Sequence, residues 1–173
     1  MRRYQEGDHD AFREIYSTTA PPIQRYLGRW SDAARAADLT QDTFLQIHRA
    51  RRTYRPELPV LPWMFAIARH VALQSLRTRG RRVVEDQSDD LSTLASVRSA
   101  EGSVLARHDL ALAMRALSAD EREIVWLADI EGLSSSEIGR VIGTSEGAAR
   151  VRLHRAHQRM RVSLDESGTK EPV

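Results

Sequence analysis

The chain has no cysteine among its 173 residues, and this absence excludes several kinds of site at once. Without thiols it forms no disulfide bond, thiol redox sensor or thiolate zinc site. Lysine is almost missing as well, because Lys170 is the only lysine among 26 basic residues. The arginine excess favours bidentate contacts to phosphate and guanine, but a GC-rich genome produces the same bias, and composition does not separate the two explanations.

Long apolar runs are also lacking. The apolar stretch 58–68 is too short to span a bilayer and contains Pro59 and Pro62. The sequence shows no signal-peptide pattern, so it predicts a cytoplasmic protein of bacterial type. With 41% hydrophobic and 29% charged residues, a chain of this length is expected to form two small soluble domains.

Patterns typical of enzymes are missing too. The six histidines are scattered, and one pair, His154 and His157, lies three residues apart on a predicted helix. The sequence contains no HExxH spacing, no phosphate-binding glycine loop and no Ser-His-Asp arrangement. We therefore predict no catalytic residue, no metal site, no cofactor and no small-molecule substrate.

The apolar periodicity is helical along most of the chain and predicts an all-α fold. In the first half, Asp8 is expected to cap a helix that Pro21 and Pro22 interrupt. A second helix is expected after the prolines, and it carries Ile23, Tyr26, Leu27 and Trp30. Two further helices are predicted at 33–51 and 62–79.

Changes in composition predict the domain boundaries. The proline-rich segment 54–61 (YRPELPVL) reads as a stiff loop inside the first domain, whereas the later acidic, serine-containing segment reads as a flexible linker. We predict a first helical domain at residues 1–82 and a second at residues 101–164. A flexible linker at residues 83–100 joins them, and a disordered tail follows at residues 165–173.

A helix-turn-helix is predicted between residues 132 and 161. Ser134 and Glu137 have the spacing of a capping box, Gly143 permits a tight turn, and Thr144 or Ser145 would cap the next helix. That second helix has an apolar stripe at 149, 153, 156 and 160. The candidate residues for DNA contact lie on its other side, and they are Arg150, Val151, Arg152, His154 and Arg155. The alternative is that these arginines form only a solvated face.

Several motifs in the two halves together carry a family resemblance. They are GDHDAFREIY at 7–16, DLTQDTFLQIHR at 38–49, LPWMFAIARHVALQSLRTR at 61–79, and the segment 117–156, which includes most of the helix-turn-helix. The chain resembles the bacterial RNA polymerase sigma factors of the extracytoplasmic-function (ECF) type. The resemblance implies a region 2 helical bundle that docks on core RNA polymerase and opens the minus-10 element, and a region 4 domain that reads the minus-35 element of promoter DNA.

The DLTQDTF motif supplies the candidate residues for polymerase binding, which are Asp38, Gln41, Asp42 and Phe44. The resemblance implies that they contact the clamp helices of the largest polymerase subunit, and that the second domain contacts the flap of the second-largest subunit. On the residues alone, Leu39, Phe44 and Ile47 also read as core, with the carboxylates as a solvated rim.

The candidate residues for the minus-10 element combine aromatic and cationic groups, which melted DNA requires for stacking and for charge neutralisation. They are Tyr54, Trp63, Arg69, Arg77 and Arg79. The resemblance implies that the loop 54–61 captures a flipped base. Trp63 also reads as a core residue.

The sequence departs from the family pattern at a few positions. His70 stands where asparagine is common, and Ala148 and Ala149 replace a usual threonine and valine, which removes one expected phosphate contact. The resemblance also implies regulation by an anti-sigma factor, which is often anchored in the membrane. Two alternatives stay open: a sigma-like adaptor that sequesters an anti-sigma factor without binding DNA, and an ordinary helix-turn-helix regulator.

Overall fold

The structure is a computed structural model and describes residues 1–79 and 104–168, with backbone alone for residues 79, 104–109 and 166–168. The chain divides into two compact units, one drawn mainly from each half. Every regular element within the described ranges is helical, which confirms the all-α prediction. No helix in those ranges has the length and apolarity needed to cross a bilayer.

The described part of the first unit is built from four helices. They are α1 (Arg2–Gln5), α2 (His9–Gly28), α3 (Ala33–Ala50) and α4 (Val60–Arg79), with a short 3-10 turn at Arg51–Thr53 after α3. Helices α2, α3 and α4 pack on one another around a core in which Tyr26 and Phe65 meet edge to face, with ring centroids 5.2 Å apart. Asp8 caps α2 as predicted, because its carboxylate accepts hydrogen bonds from the Asp10 and Ala11 amides.

The prediction that Pro21 and Pro22 interrupt the first long helix was wrong. Helix α2 runs through both prolines. A proline inside a helix costs about 3 kcal/mol. The residues that follow offset this cost, since Ile23, Tyr26 and Leu27 are fully buried and each large apolar side chain contributes about 1.5–3 kcal/mol when buried. Tertiary packing therefore outweighs the local preference.

The described part of the second unit contains four further helices. They are α5 (Val104–Arg115), α6 (Ala119–Val125), α7 (Ser135–Ile142) and α8 (Glu146–Gly168). Capping boxes start α6 and α7, where Ser118 pairs with Glu121 and Ser134 pairs with Glu137. Between these two helices the chain widens into a π-helical turn at Trp126–Ile130, in which the Glu131 amide donates to the Trp126 carbonyl.

The turn between α7 and α8 depends on two glycines. Gly143 ends α7 at a φ of 75°, as its predicted turn role requires. A Cβ on Gly139 would lie 2.8 Å from the Thr144 carbonyl oxygen, so the missing side chain lets the turn itself approach α7. Ser145 is the residue that caps α8, because its hydroxyl accepts from the Ala148 amide at 3.2 Å.

Helix α8 is longer than the sequence predicted. It continues to Gly168, beyond the predicted start of a tail at residue 165. The predicted linker, 83–100, and residues 169–173 lie outside the described residues.

We expect Gly139→Ala to lower the free energy of unfolding by about 1–3 kcal/mol, because the new methyl group must displace backbone atoms of the turn. Gly147→Ala is the matched control. A methyl group there would meet no atom within 4 Å beyond its own stretch of helix, so the helix preference of alanine should leave stability unchanged or raise it by up to about 1 kcal/mol. Urea denaturation followed by circular dichroism measures both, and equal effects at the two sites would contradict the close approach.

Candidate functional site

Helix α8 has one buried side and one exposed side. Ala149 and Ala156 are fully buried, and Leu153 and Met160 are half-buried, which confirms the predicted stripe. Because these positions recur every three or four residues, the rest of the helix circumference is left to solvent.

The five candidate residues for the minus-35 element are all exposed, namely Arg150, Val151, Arg152, His154 and Arg155. Val151 is 49% exposed although it is apolar, and the exposed Gly147 lies one turn before it. A helix start with a small residue, an apolar residue and arginines can enter the major groove, where apolar groups contact thymine methyls and arginine binds guanine.

Arg150 already has a partner within its own helix. Its guanidinium contacts the Glu146 carboxylate one turn earlier, and both side chains are exposed. An ion pair in this setting contributes little stability. Arg150 is therefore available to exchange Glu146 for a phosphate or a guanine at small cost.

Two contacts fix the middle of α8 to the rest of the second unit. Arg159 donates to both carboxylate oxygens of Glu121, at 2.7 and 2.8 Å, and His157 Nε2 lies 3.0 Å from Asp129 Oδ2. His157 therefore contacts the π-helical turn, whereas His154 is exposed to solvent. The two imidazole rings are not arranged to bind one metal ion together.

Glu121 joins the start of α6 to α8 and is electrostatically perturbed. Burial acts to raise the pKa of its carboxyl, but hydrogen bonds with Ser118 and the charge and hydrogen bond of Arg159 outweigh burial and lower the pKa below its usual value of 4.5. The ionised form is thus the one that the folded unit favours.

In the first unit, α3 divides the candidate residues for polymerase binding. Asp38, Gln41 and Asp42 are exposed, whereas Phe44 is only 4% exposed and lies 4.5 Å from Tyr16 between ring centroids. This burial favours the core interpretation of Phe44 that the sequence left open, in which Phe44 supports the exposed residues of α3 from the buried stripe.

The structure also brings in a residue that the sequence analysis missed. Leu45 is 47% exposed and lines a groove between α3 and α4 together with Asp42 and Arg49. The sequence could have predicted this exposure, because Leu45 is a large apolar residue one position away from the buried stripe of α3. A single exposed leucine is common on protein surfaces, so the relevance of Leu45 rests on its lying in the same groove as Asp42.

The loop before α4 is held from inside by Tyr54. This residue is 7% exposed, its hydroxyl donates to the Leu58 carbonyl, and its ring centroid lies 5.3 Å from that of Trp63. Burial raises the pKa of the Tyr54 phenol, and the nearby Glu57 carboxylate raises it further. The expected direct DNA contact by Tyr54 is thus corrected, because its ring packs inward and shapes the loop.

The other candidates for the minus-10 element are spread along α4. Trp63 and Arg69 are half-buried and Arg77 is exposed, while the side chain of Arg79 is outside the described part. Fourteen residues separate Trp63 from Arg77, which is about 21 Å along a helix. The two residues therefore cannot meet the same nucleotide.

Comparison with known proteins matches both halves. The family model for Sigma-70 region 2 matches residues 15–82, and the one for Sigma-70, region 4, matches residues 107–160. The RNA polymerase sigma factor CarQ of Myxococcus xanthus is 36% identical over 167 residues, which cover 96% of each chain. The ECF RNA polymerase sigma factor SigF of Caulobacter vibrioides is 32% identical, covering 90% of this chain and 87% of its own.

A solved structure shares the fold. The sigma factor RpoE from Bartonella quintana, in complex with the anti-sigma factor NepR, superposes with a TM-score of 0.67 at 23% identity, covering 90% of this chain and 97% of RpoE. Two helical modules that match regions 2 and 4 define a sigma-70-type transcription initiation factor. Within that class, the chain belongs to the ECF RNA polymerase sigma factors, which direct promoter-specific initiation and are not themselves enzymes.

We expect the stabilisation by Glu121 to be complete above pH 4.5 and to fade as the pH falls through its lowered folded pKa. Glu121→Gln should therefore reduce the free energy of unfolding at pH 7, and the difference from wild type should shrink as the solution is acidified. Arg159→Gln, which spares the capping box, should show part of the same loss. Urea titrations between pH 3 and 7 measure this dependence, and a constant difference would contradict it.

Proposed function

We propose that residues 101–164 read the minus-35 element through α8. The observation that carries this proposal is the outward set of Arg150, Arg152 and Arg155 near the capped start of a helix whose opposite side is buried. Helix N-termini also favour phosphate, so charge and backbone act in the same direction.

Residues 1–82 dock on core RNA polymerase in this proposal. Asp38, Gln41 and Asp42 present carboxylate and amide groups on the exposed side of α3. On the buried side, Phe44 packs against Tyr16 of α2. The partner surface is the clamp helices of the largest subunit. The flap of the second-largest subunit is the proposed partner of the second domain.

The same domain opens the minus-10 element. Trp63 supplies a partly exposed aromatic ring for an unstacked base, and Arg69, Arg77 and Arg79 supply charge for the phosphates. Tyr54 shapes the loop that receives the base. In this arrangement, the base of the melted strand contacts the loop and Trp63, and its phosphate backbone contacts the arginines of α4.

Regulation by an anti-sigma factor completes the proposal. The fold relative RpoE from Bartonella quintana was crystallised with the anti-sigma factor NepR, and CnrH, which shares the fold, was solved in complex with the cytosolic domain of CnrY. The free chain is then cytoplasmic, and a membrane-anchored inhibitor holds the bound chain at the inner membrane. The linker 83–100 tethers the two domains in this proposal, and the chain has no enzymatic activity of its own.

Runoff transcription tests the function directly. Purified chain and core polymerase are combined with a library of genomic fragments from the source bacterium, in the absence of any inhibitor. Transcripts that start at fixed sites and require the chain support the proposal. An adaptor or an ordinary regulator yields no such transcripts, and their absence would overturn it.

We expect Arg150→Ala and Arg155→Ala each to weaken promoter use by roughly 1–3 kcal/mol if the side chain binds a guanine bidentately. Arg161→Ala is the matched control, because Arg161 is exposed on the same helix more than one turn further along. Runoff yield against promoter concentration measures the loss, and pull-down on core polymerase should be unchanged. An equal loss of polymerase binding would reject the assignment.

We expect Asp38→Arg combined with Gln41→Ala to abolish association with core polymerase, since it reverses one charge and removes one amide on the docking surface. Glu14→Arg combined with Gln24→Ala makes the same chemical change at exposed positions on α2 and serves as the control. Co-purification with core polymerase is the measurement. Retained binding by the α3 variant would count against this surface.

A further inference from the structure

Helix α1 contacts the segment that connects the end of α3 to the loop at 54–59. The Gln5 side-chain amide donates two hydrogen bonds, one to the Arg51 carbonyl at 2.7 Å and one to the Tyr54 carbonyl at 2.9 Å. The first carbonyl belongs to the residue that begins the 3-10 turn, and the second to the residue that directly follows the turn. Carbonyls at the end of a helix lack intrahelical donors, so a single amide group with two hydrogens satisfies both.

Helix α1 is itself firmly held, so Gln5 acts from a fixed base. Tyr4 is 4% exposed, its ring stacks on Phe12 with centroids 5.1 Å apart, and its hydroxyl lies 2.6 Å from His48 Nδ1. These contacts join α1 to both α2 and α3. Gln5 therefore has little freedom to follow the loop if the loop moves.

Tyr54 connects this anchor to the rest of the loop. Its backbone carbonyl accepts from Gln5, its hydroxyl donates to the Leu58 carbonyl, and its ring packs against Trp63. One residue thus links Gln5 to the far side of the loop and to the aromatic ring at the start of α4.

We propose that Gln5 is a positioning residue that holds the loop at 54–59 and, through Tyr54, the Trp63 ring in the arrangement that receives the melted minus-10 strand. This inference rests on the proposed function of that loop. Gln5 acts only through the backbone of Arg51 and Tyr54. Its effect is to keep the binding-competent arrangement populated before DNA arrives.

The physical reason is the cost of ordering an irregular segment. Residues 54–59 form no helix, and Arg55, Pro56 and Glu57 are exposed at its tip. A loop that is ordered in advance loses less entropy on binding, and apparent affinity falls by the fraction of molecules in which the loop is misplaced. Loss of two hydrogen bonds at its base is thus expected to reduce DNA opening without changing the docking surface on α3.

The variants Gln5→Ala and Gln5→Glu test the proposal in the holoenzyme. Gln5→Glu keeps the side-chain shape but sets a carboxylate against two carbonyl oxygens, so packing and hydrogen bonding are separated. Gln24→Ala removes an exposed glutamine from α2 and is the matched control. Permanganate reactivity of thymines in the minus-10 element reports opening of the DNA, on a promoter that the wild-type holoenzyme transcribes. A pull-down on core polymerase reports polymerase binding.

Both Gln5 variants should lower promoter opening about tenfold, while polymerase binding stays within about twofold of wild type and Gln24→Ala matches wild type. Wild-type opening by either Gln5 variant, or a parallel loss of polymerase binding, would overturn the proposal. If the wild-type holoenzyme itself opens no promoter, the proposed function fails instead, so the two failures are distinguishable.

A second measurement needs no DNA. Arg52 is an exposed trypsin site just before the loop, because Thr53 follows it, whereas Arg55 precedes Pro56 and resists trypsin. Cleavage after Arg52 in the free chain, followed by mass spectrometry, tracks the population of the open loop. Both Gln5 variants should be cleaved several times faster there than wild type, with cleavage after Arg13 in α2 unchanged. Equal rates at the loop would contradict the proposed anchoring.

Discussion

The separation of each helix into an inward and an outward face is the constraint on which both units depend. In α8, Ala149 and Ala156 are fully buried and the arginines face solvent; in α3, Phe44 is buried and Asp38 and Gln41 are exposed. Burial of one face supplies the folding free energy and fixes the rotation of the helix. The chemistry for partners then stands on the other face without having to contribute to stability.

Local signals in the sequence predicted the elements well. The capping box at Ser134 and the turn at Gly143 each involve residues within about four positions of one another, and the structure contains both. The period of the apolar residues likewise predicted the buried side of α8. Such features can be predicted because the interacting atoms are close in sequence. The exposed arginines can be predicted as well, because they lie outside the buried stripe.

Features that depend on distant contacts were not readable in this way. Pro21 and Pro22 stand inside α2 because later residues pack on other helices, and Tyr54 is buried because its ring meets Trp63. Gln5 gave no signal at all, since its partners lie 46 and 49 residues away and are backbone atoms that any sequence supplies. Residue type and spacing predict a candidate surface, but long-range packing decides which members reach it.

The seating of α8 through its buried side alone has an evolutionary consequence. Two fully buried alanines and the half-buried Leu153 and Met160 place the helix, so its placement does not depend on the side chains that face outward. Outward positions are therefore free to mutate without unfolding the module. A scaffold of this kind lets duplicated genes diverge toward new start sites while their shared architecture persists.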